Sequence, residues 1–161
     1  MSTPVCSDAT RGYLRLQRVP DVGPVRARKL VQHFGKVDAV FSASIRELEH
    51  VEGIGEKTAQ AIFRSRDDGF VEKEIARAAE FGVRILCQED TDYPKSLLHI
   101  PDPPICLYVR GTLTPTDAVA IAIVGTRRCS HYAREQAVRF GELLGGAGFT
   151  VVSGHARGVD G

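Results

Sequence analysis

Apolar and polar positions change period near the middle of the chain. From Phe70 to Phe81 the spacing predicts an amphipathic helix, with Phe70, Ile75, Ala78, Ala79 and Phe81 on one side and Glu72, Lys73, Arg77 and Glu80 outward. Gly82 ends it. Short apolar runs follow: Val83–Cys87 and Ile105–Val109 predict strands, separated by Asp92-Tyr93-Pro94 and Pro101-Asp102-Pro103-Pro104, which can continue neither helix nor inner strand. Val119–Val124 and Thr150–Val152 predict two more strands, and Ser130 to Gly146 between them predicts a helix capped by the serine hydroxyl. This β-loop-α-β order delivers both strand-end loops to one sheet edge, the place where parallel sheets bind anions.

The earlier part of the chain repeats itself at a shift of 32 residues. Val19-Pro20-Asp21-Val22-Gly23-Pro24-Val25-Arg26-Ala27 overlies Val51-Glu52-Gly53-Ile54-Gly55-Glu56-Lys57-Thr58-Ala59. Each copy places an apolar residue and a glycine in a tight turn ahead of a helix whose small Ala admits a close neighbour. The repeat resembles a tandem helix-hairpin-helix domain. In the second copy both Gly53 and Gly55 are expected to supply positive φ. In the first, Asp21 stands where a glycine would, and Pro24 suits the first helical turn. That resemblance implies a backbone grip on a DNA phosphate, with Gly23, Gly53, Gly55 and Lys57 as secondary candidates. The opposing reading is that both hairpins only pack helices: Glu49, Glu52 and Glu56 beside the better-formed copy would repel a phosphate.

The expected fold class is therefore α/β: an all-helical tandem helix-hairpin-helix (SAM-like) domain over 1–69, then part of a Rossmann-like parallel-sheet domain over 70–161. The boundary is placed near Asp67-Asp68-Gly69.

Composition changes the picture little. With 161 residues, 43% hydrophobic and 25% charged, the chain has ordinary globular proportions. No apolar run approaches a membrane span and Met1 to Thr10 lacks the order of a secretory signal, so a cytoplasmic location is expected. A net charge of +1 argues against a strong overall electrostatic footprint for nucleic acid, but Arg11 to Lys36 carries seven bases against one acid. Cys6, Cys87, Cys106 and Cys129 have no ligand-type spacing; they are expected as reduced thiols, three of them buried, with no metal site. Cys129 reads as a loop filler or as a reactive thiol at a helix start.

The two loops carry the chemistry. After Gly125 come Thr126, Arg127, Arg128, Cys129 and Ser130, so a dinucleotide fingerprint lacks its second and third glycines, and Ser153-Gly154 occupies the place of the ribose-binding acid. What remains is an anion site: helix N-terminal amides, the hydroxyls of Thr126, Ser130 and Ser153, the turns at Gly125 and Gly154, and the guanidinium fork of Arg127, with Arg157 read either as a second fork or as an outward, solvated charge. For the glycines, simple turn chemistry is the competing reading. Asp160 reads either as a cap for a following helix or as a salt-bridge partner of Arg127 or Arg157. Ser153 and His155 have no acid placed to orient the histidine, so no catalytic residue is assigned. Tyr132 and Tyr108 are the available stacking partners for bases, although packing roles suit both.

Four motifs occur in order: Thr91-Asp92-Tyr93-Pro94; Pro103-Pro104 with Leu107-Tyr108 and Gly111; Ile123-Val124-Gly125-Thr126-Arg127 with Ser130; and Val152-Ser153-Gly154 with Ala156, Arg157, Gly158 and Asp160. Together they resemble the DNA-processing protein A family (DprA/Smf). The resemblance implies a non-enzymatic, cofactor-free protein that binds and protects single-stranded DNA during natural transformation and loads the RecA recombinase. It implies that Gly125, Thr126 and Arg127 help line the DNA pocket. It also implies homodimerisation through a part of the family's sheet domain that lies beyond Gly161, so the chain is expected to be truncated within that domain, with an open, poorly stable sheet. The alternatives are a nucleotide-processing Rossmann-type enzyme of the phosphoribohydrolase kind, disfavoured because no suitable glutamate follows the second loop, and a protein-interaction module without DNA.

Overall fold

The computed structural model describes residues 6–67 and 69–161; Asp68 of the expected boundary, and the start of the segment read as lacking a leader, lie outside the described residues. The chain forms two compact units, one running to Thr112 and the other spanning Leu113–Gly161.

In the first unit, α1 (Asp8–Arg18) starts where the Ser7 hydroxyl accepts the Thr10 amide and Asp8 meets the positive end of the helix. Gly12 lets α1 lie against Val37: a Cβ there would fall 2.6 Å from a Val37 methyl. The repeat then builds α2 (Pro24–Phe34) and α5 (Glu56–Arg64), with α3 (Val37–Ser42) and α4 (Ile45–Glu49) between them. A reciprocal capping box between Ser44 and Glu47 opens α4. The hydrogen bonds from the Ser44 amide and hydroxyl hold the Glu47 carboxyl below its ordinary pKa. Leu14, Leu16, Leu30, Val40, Leu48 and Ile62 are fully buried among these helices. Each such side chain contributes about 1.5–3 kcal/mol by leaving water.

The two hairpins share their geometry but not their chemistry. Gly53 takes φ +86°, and Asp21, at the same place in the first copy, takes φ +66°. Gly55 does not: it is extended, as is Gly23, and each serves as the residue before its helix. Only one position per hairpin needs left-handed backbone, which corrects the expectation for Gly55.

α6 (Phe70–Glu80), β1 (Val83–Cys87) and β2 (Cys106–Arg110) belong to this same unit, with the short α7 (Lys95–Leu98) between the strands. α6 buries Val71 and Ala78, a stripe seven residues apart, with Phe70 and Ile75 partly covered; Ala79 and Phe81 fall off that stripe and are exposed, contrary to the expected inward face. β1 and β2 pair antiparallel, from Val83 opposite Arg110 to Cys87 opposite Cys106. Long-range polar contacts bind them to the helices: Thr10 Oγ1 donates to Asp90 Oδ2 at 2.6 Å and Tyr13 Oη to Glu89 Oε1 at 2.8 Å. These contacts put residues 70–112 in one compact unit with the hairpin helices.

The second unit holds β3 (Ala120–Ala122), α8 (His131–Gly146) and β4 (Thr150–Val152). β3 and β4 pair in parallel, with Ala120, Ile121 and Ala122 opposite Thr150, Val151 and Val152. Before β3, a 3₁₀ turn over Pro115–Ala118 is closed by Thr114 and Asp117, and Asp117 also accepts the Thr150 hydroxyl at 2.9 Å, tying the turn to the start of β4. The region is thus an α/β chain overall, a helical hairpin region followed by a small parallel-sheet unit. No residue of Leu113–Gly161 is buried, and Val124, Phe140, Leu143 and Val152 lie exposed.

Candidate nucleic-acid interface

Parallel pairing of β3 and β4 brings the two expected loops, 123–130 and 153–160, to the same end of the strand pair. They interlock. Asp160 Oδ1 accepts the Gly125 amide at 2.8 Å, and the Ser153 hydroxyl donates to the Asp160 carbonyl at 2.9 Å. The Val159 amide donates to the Thr126 carbonyl at 3.3 Å.

Three glycines permit this approach. A Cβ on Gly125 would lie 2.7 Å from the Val159 side chain, and one on Gly154 would lie 2.8 Å from the Asp160 carboxylate. At Gly158, φ is +101° and a Cβ would stand 2.2 Å from the Thr126 carbonyl oxygen. Close approach, beyond turn chemistry, is what these positions require.

The hydroxyls are mostly spent on the loops themselves. Thr126 Oγ1 accepts the Arg128 amide at 3.2 Å, and Ser130 Oγ caps α8 by accepting the Ala133 amide at 3.2 Å, which still leaves its own proton to donate. The Asp160 carboxylate fastens one loop to the other. The guanidinium-bearing Arg127 and Arg157 are exposed, as is Arg128, which the sequence reading passed over although it directly follows Arg127. Tyr132, in the first turn of α8, is 69% exposed and so does not pack. The arrangement offers a strand-end surface of arginine forks around a backbone clasp, suited to a polyanion.

The DNA recombination-mediator protein A family matches residues 84–161, which contain both loops, and the SAM-like helix-hairpin-helix tandem family matches residues 13–66. The protein Smf of Synechocystis is 33% identical over 156 residues, covering 92% of this chain. The chain belongs to the DNA recombination-mediator protein A family. It spans 38% of the length of Smf. Its hairpin region is also similar to a DNA ligase of Chlamydia trachomatis serovar L2, 42% identical over 79 residues, 47% of this chain and 12% of the ligase. A UvrABC system protein C of Salinispora tropica is 42% identical over 53 residues, 33% of this chain and 8% of that protein.

Within this DNA recombination-mediator chain, the first two motifs are scaffold. Tyr93 is buried and its hydroxyl donates to the Pro104 carbonyl at 2.9 Å, while Arg84 pairs with Asp92 at 2.6 Å. Gln88 donates to the Pro103 carbonyl at 3.1 Å. The hairpin candidates Gly23, Gly53, Gly55 and Lys57 lie in the first unit, and their neighbouring charges are cross-paired: Lys57 Nζ is 3.9 Å from Asp21 Oδ2, and Lys29 Nζ is 3.0 Å from Glu52 Oε1. Cys87 and Cys106 are buried, but Cys6 and Cys129 are only half-buried, so two thiols rather than three are interior. Among the described residues no cluster of metal-ligating side chains occurs, and no helix is long and apolar enough to cross a membrane.

Proposed function

We propose that the interlocked loops of the second unit bind the sugar-phosphate backbone of single-stranded DNA, with Arg127 and Arg157 as phosphate contacts, assisted by Ser130 and by the backbone around Gly125, Thr126, Ser153 and Gly154. The observation that carries this reading is the Asp160–Gly125 bond, which fastens the two arginine-bearing loops together while leaving both arginines at the surface. Phosphodiesters suit arginine because the planar fork can engage two oxygens and keeps its charge. Membership of the recombination-mediator family supports a further step, handing bound DNA to the RecA recombinase in the cytoplasm during natural transformation, with homodimerisation and without catalysis or cofactor.

The test is anisotropy of a labelled oligonucleotide across a salt series. Binding should weaken steeply with salt, and Arg127→Ala should weaken it several-fold on every sequence while lowering the salt slope by about 0.7, the share of one single-strand phosphate. Unchanged affinity and slope would remove Arg127 from the interface.

A second reading concerns the helical region alone. The cross-paired charges around its hairpins favour a protein-contact or packing role there over a grip on phosphate.

A further inference from the structure

Two cysteines face each other inside the first unit. Antiparallel pairing sets Cys87 directly opposite Cys106, on the same face of the strand pair, and both are buried against the helical core. Directly opposed residues of an antiparallel ladder have Cα atoms roughly 4.5–5.5 Å apart in either ladder class. A disulfide needs roughly 4.4–6.8 Å. Both thiols are free.

The pair sits at a joint. The Cys87 amide donates to Asp90 Oδ2 at 2.7 Å, and the Asp90 amide donates back to the Cys87 carbonyl at 3.0 Å. Asp90 also receives the Thr10 hydroxyl from α1. A bond between Cys87 and Cys106 would therefore tie β2 to the residue through which β1 is fastened to α1. A cavity of about 160 Å³ beside this end of β1, lined by Cys6, Ile85, Leu86 and Asp90 among others, is large enough for a small oxidant, although neither Cys87 nor Cys106 lines it.

We propose that Cys87 and Cys106 form a redox clasp, a cross-strand dithiol that closes to a disulfide under a hydroperoxide and reopens with a thiol reductant. In the forward direction one thiol attacks the peroxide, breaking the O–O bond to give a sulfenic acid and an alcohol, or water when the oxidant is hydrogen peroxide. The second thiol displaces hydroxide from that sulfur, forming the S–S bond and releasing water. Two thiols are oxidised and one peroxide is reduced. Burial pushes the pKa of both thiols up, so closure is slow at neutral pH and speeds up in alkali.

The experiment treats the full chain with hydrogen peroxide, blocks remaining thiols, and maps linked peptides by mass spectrometry before and after dithiothreitol. The expected result is a dithiothreitol-reversible Cys87–Cys106 linkage, two fewer blockable thiols, and a melting temperature raised by several degrees on oxidation. Cys106→Ala should abolish the linkage and the rise. Since that variant removes a buried side chain, the double variant Cys6→Ser with Cys129→Ser supplies the complementary arm: it keeps only the facing pair and should close as the native chain does. Linkage of either buried cysteine to Cys6 or Cys129, or survival of both thiols while Cys6 is oxidised, would overturn the assignment.

Discussion

Asp160 accepts the backbone amide of Gly125 across 35 residues of sequence. An amide at a strand end usually answers to its own loop or to a ligand. Here it answers to a carboxylate from the neighbouring loop, and the two arginines travel with the pair.

Breaking that bond should loosen the loops before it unfolds anything. Asp160→Ala is expected to cost about 1 kcal/mol at this exposed site, and the Gly125 amide should exchange with solvent markedly faster. An unchanged exchange rate at Gly125 would show that the loops hold together by other means.

Gly158 should tolerate no side chain. Its φ of +101° and the 2.2 Å approach of a Cβ to the Thr126 carbonyl make Gly158→Ala destabilising by about 2 kcal/mol or more, read by denaturant unfolding of the second unit. A neutral substitution would contradict the close packing of the loops.

The hairpins should respond asymmetrically to substitution. Asp21→Gly removes a left-handed non-glycine residue at the cost of the weak Lys57 pair and of some unfolded-chain entropy, and should leave the melting temperature unchanged or raised. Gly53→Ala installs that strain and should cost about 1 kcal/mol. Equal effects of the two would mean that the backbone conformations are not the limiting factor.

Acid should act through Asp90. Burial pushes its pKa up, but hydrogen bonds from Ser7, from Thr10 and from the Cys87 amide together outweigh burial and hold it below the ordinary carboxylate value. Its contribution to stability is therefore complete above its unfolded pKa of about 3.9 and is lost as pH falls through the lower, folded value. Asp90→Asn should flatten that part of the acid unfolding curve. A curve of unchanged shape would place the acid sensitivity elsewhere.

Local signals in the sequence read true and distant ones did not. The Ser130 cap, the two strands around α8 and the Pro24 start of α2 rest on neighbours within a few residues, so spacing alone exposed them. The motif order likewise pointed to the family. The attachment of β1 and β2 to the helices depends on Thr10 meeting Asp90, 80 residues away, which no periodicity records. The role of Asp160 was hidden for the same reason. Gly55 misled differently: glycine permits a left-handed backbone without requiring one, and here it serves as the extended residue ahead of α5.

The fastening of α1 to the strand pair also bears on how freely this helical region could be traded for a relative's. Importing the hairpin tandem of a ligase or a UvrC protein in place of α1 to α5 would leave Glu89 and Asp90 facing foreign side chains, without the hydroxyls of Tyr13 and Thr10 that now answer them. Such a chimera would need both hydroxyls grafted back before its strands could seat.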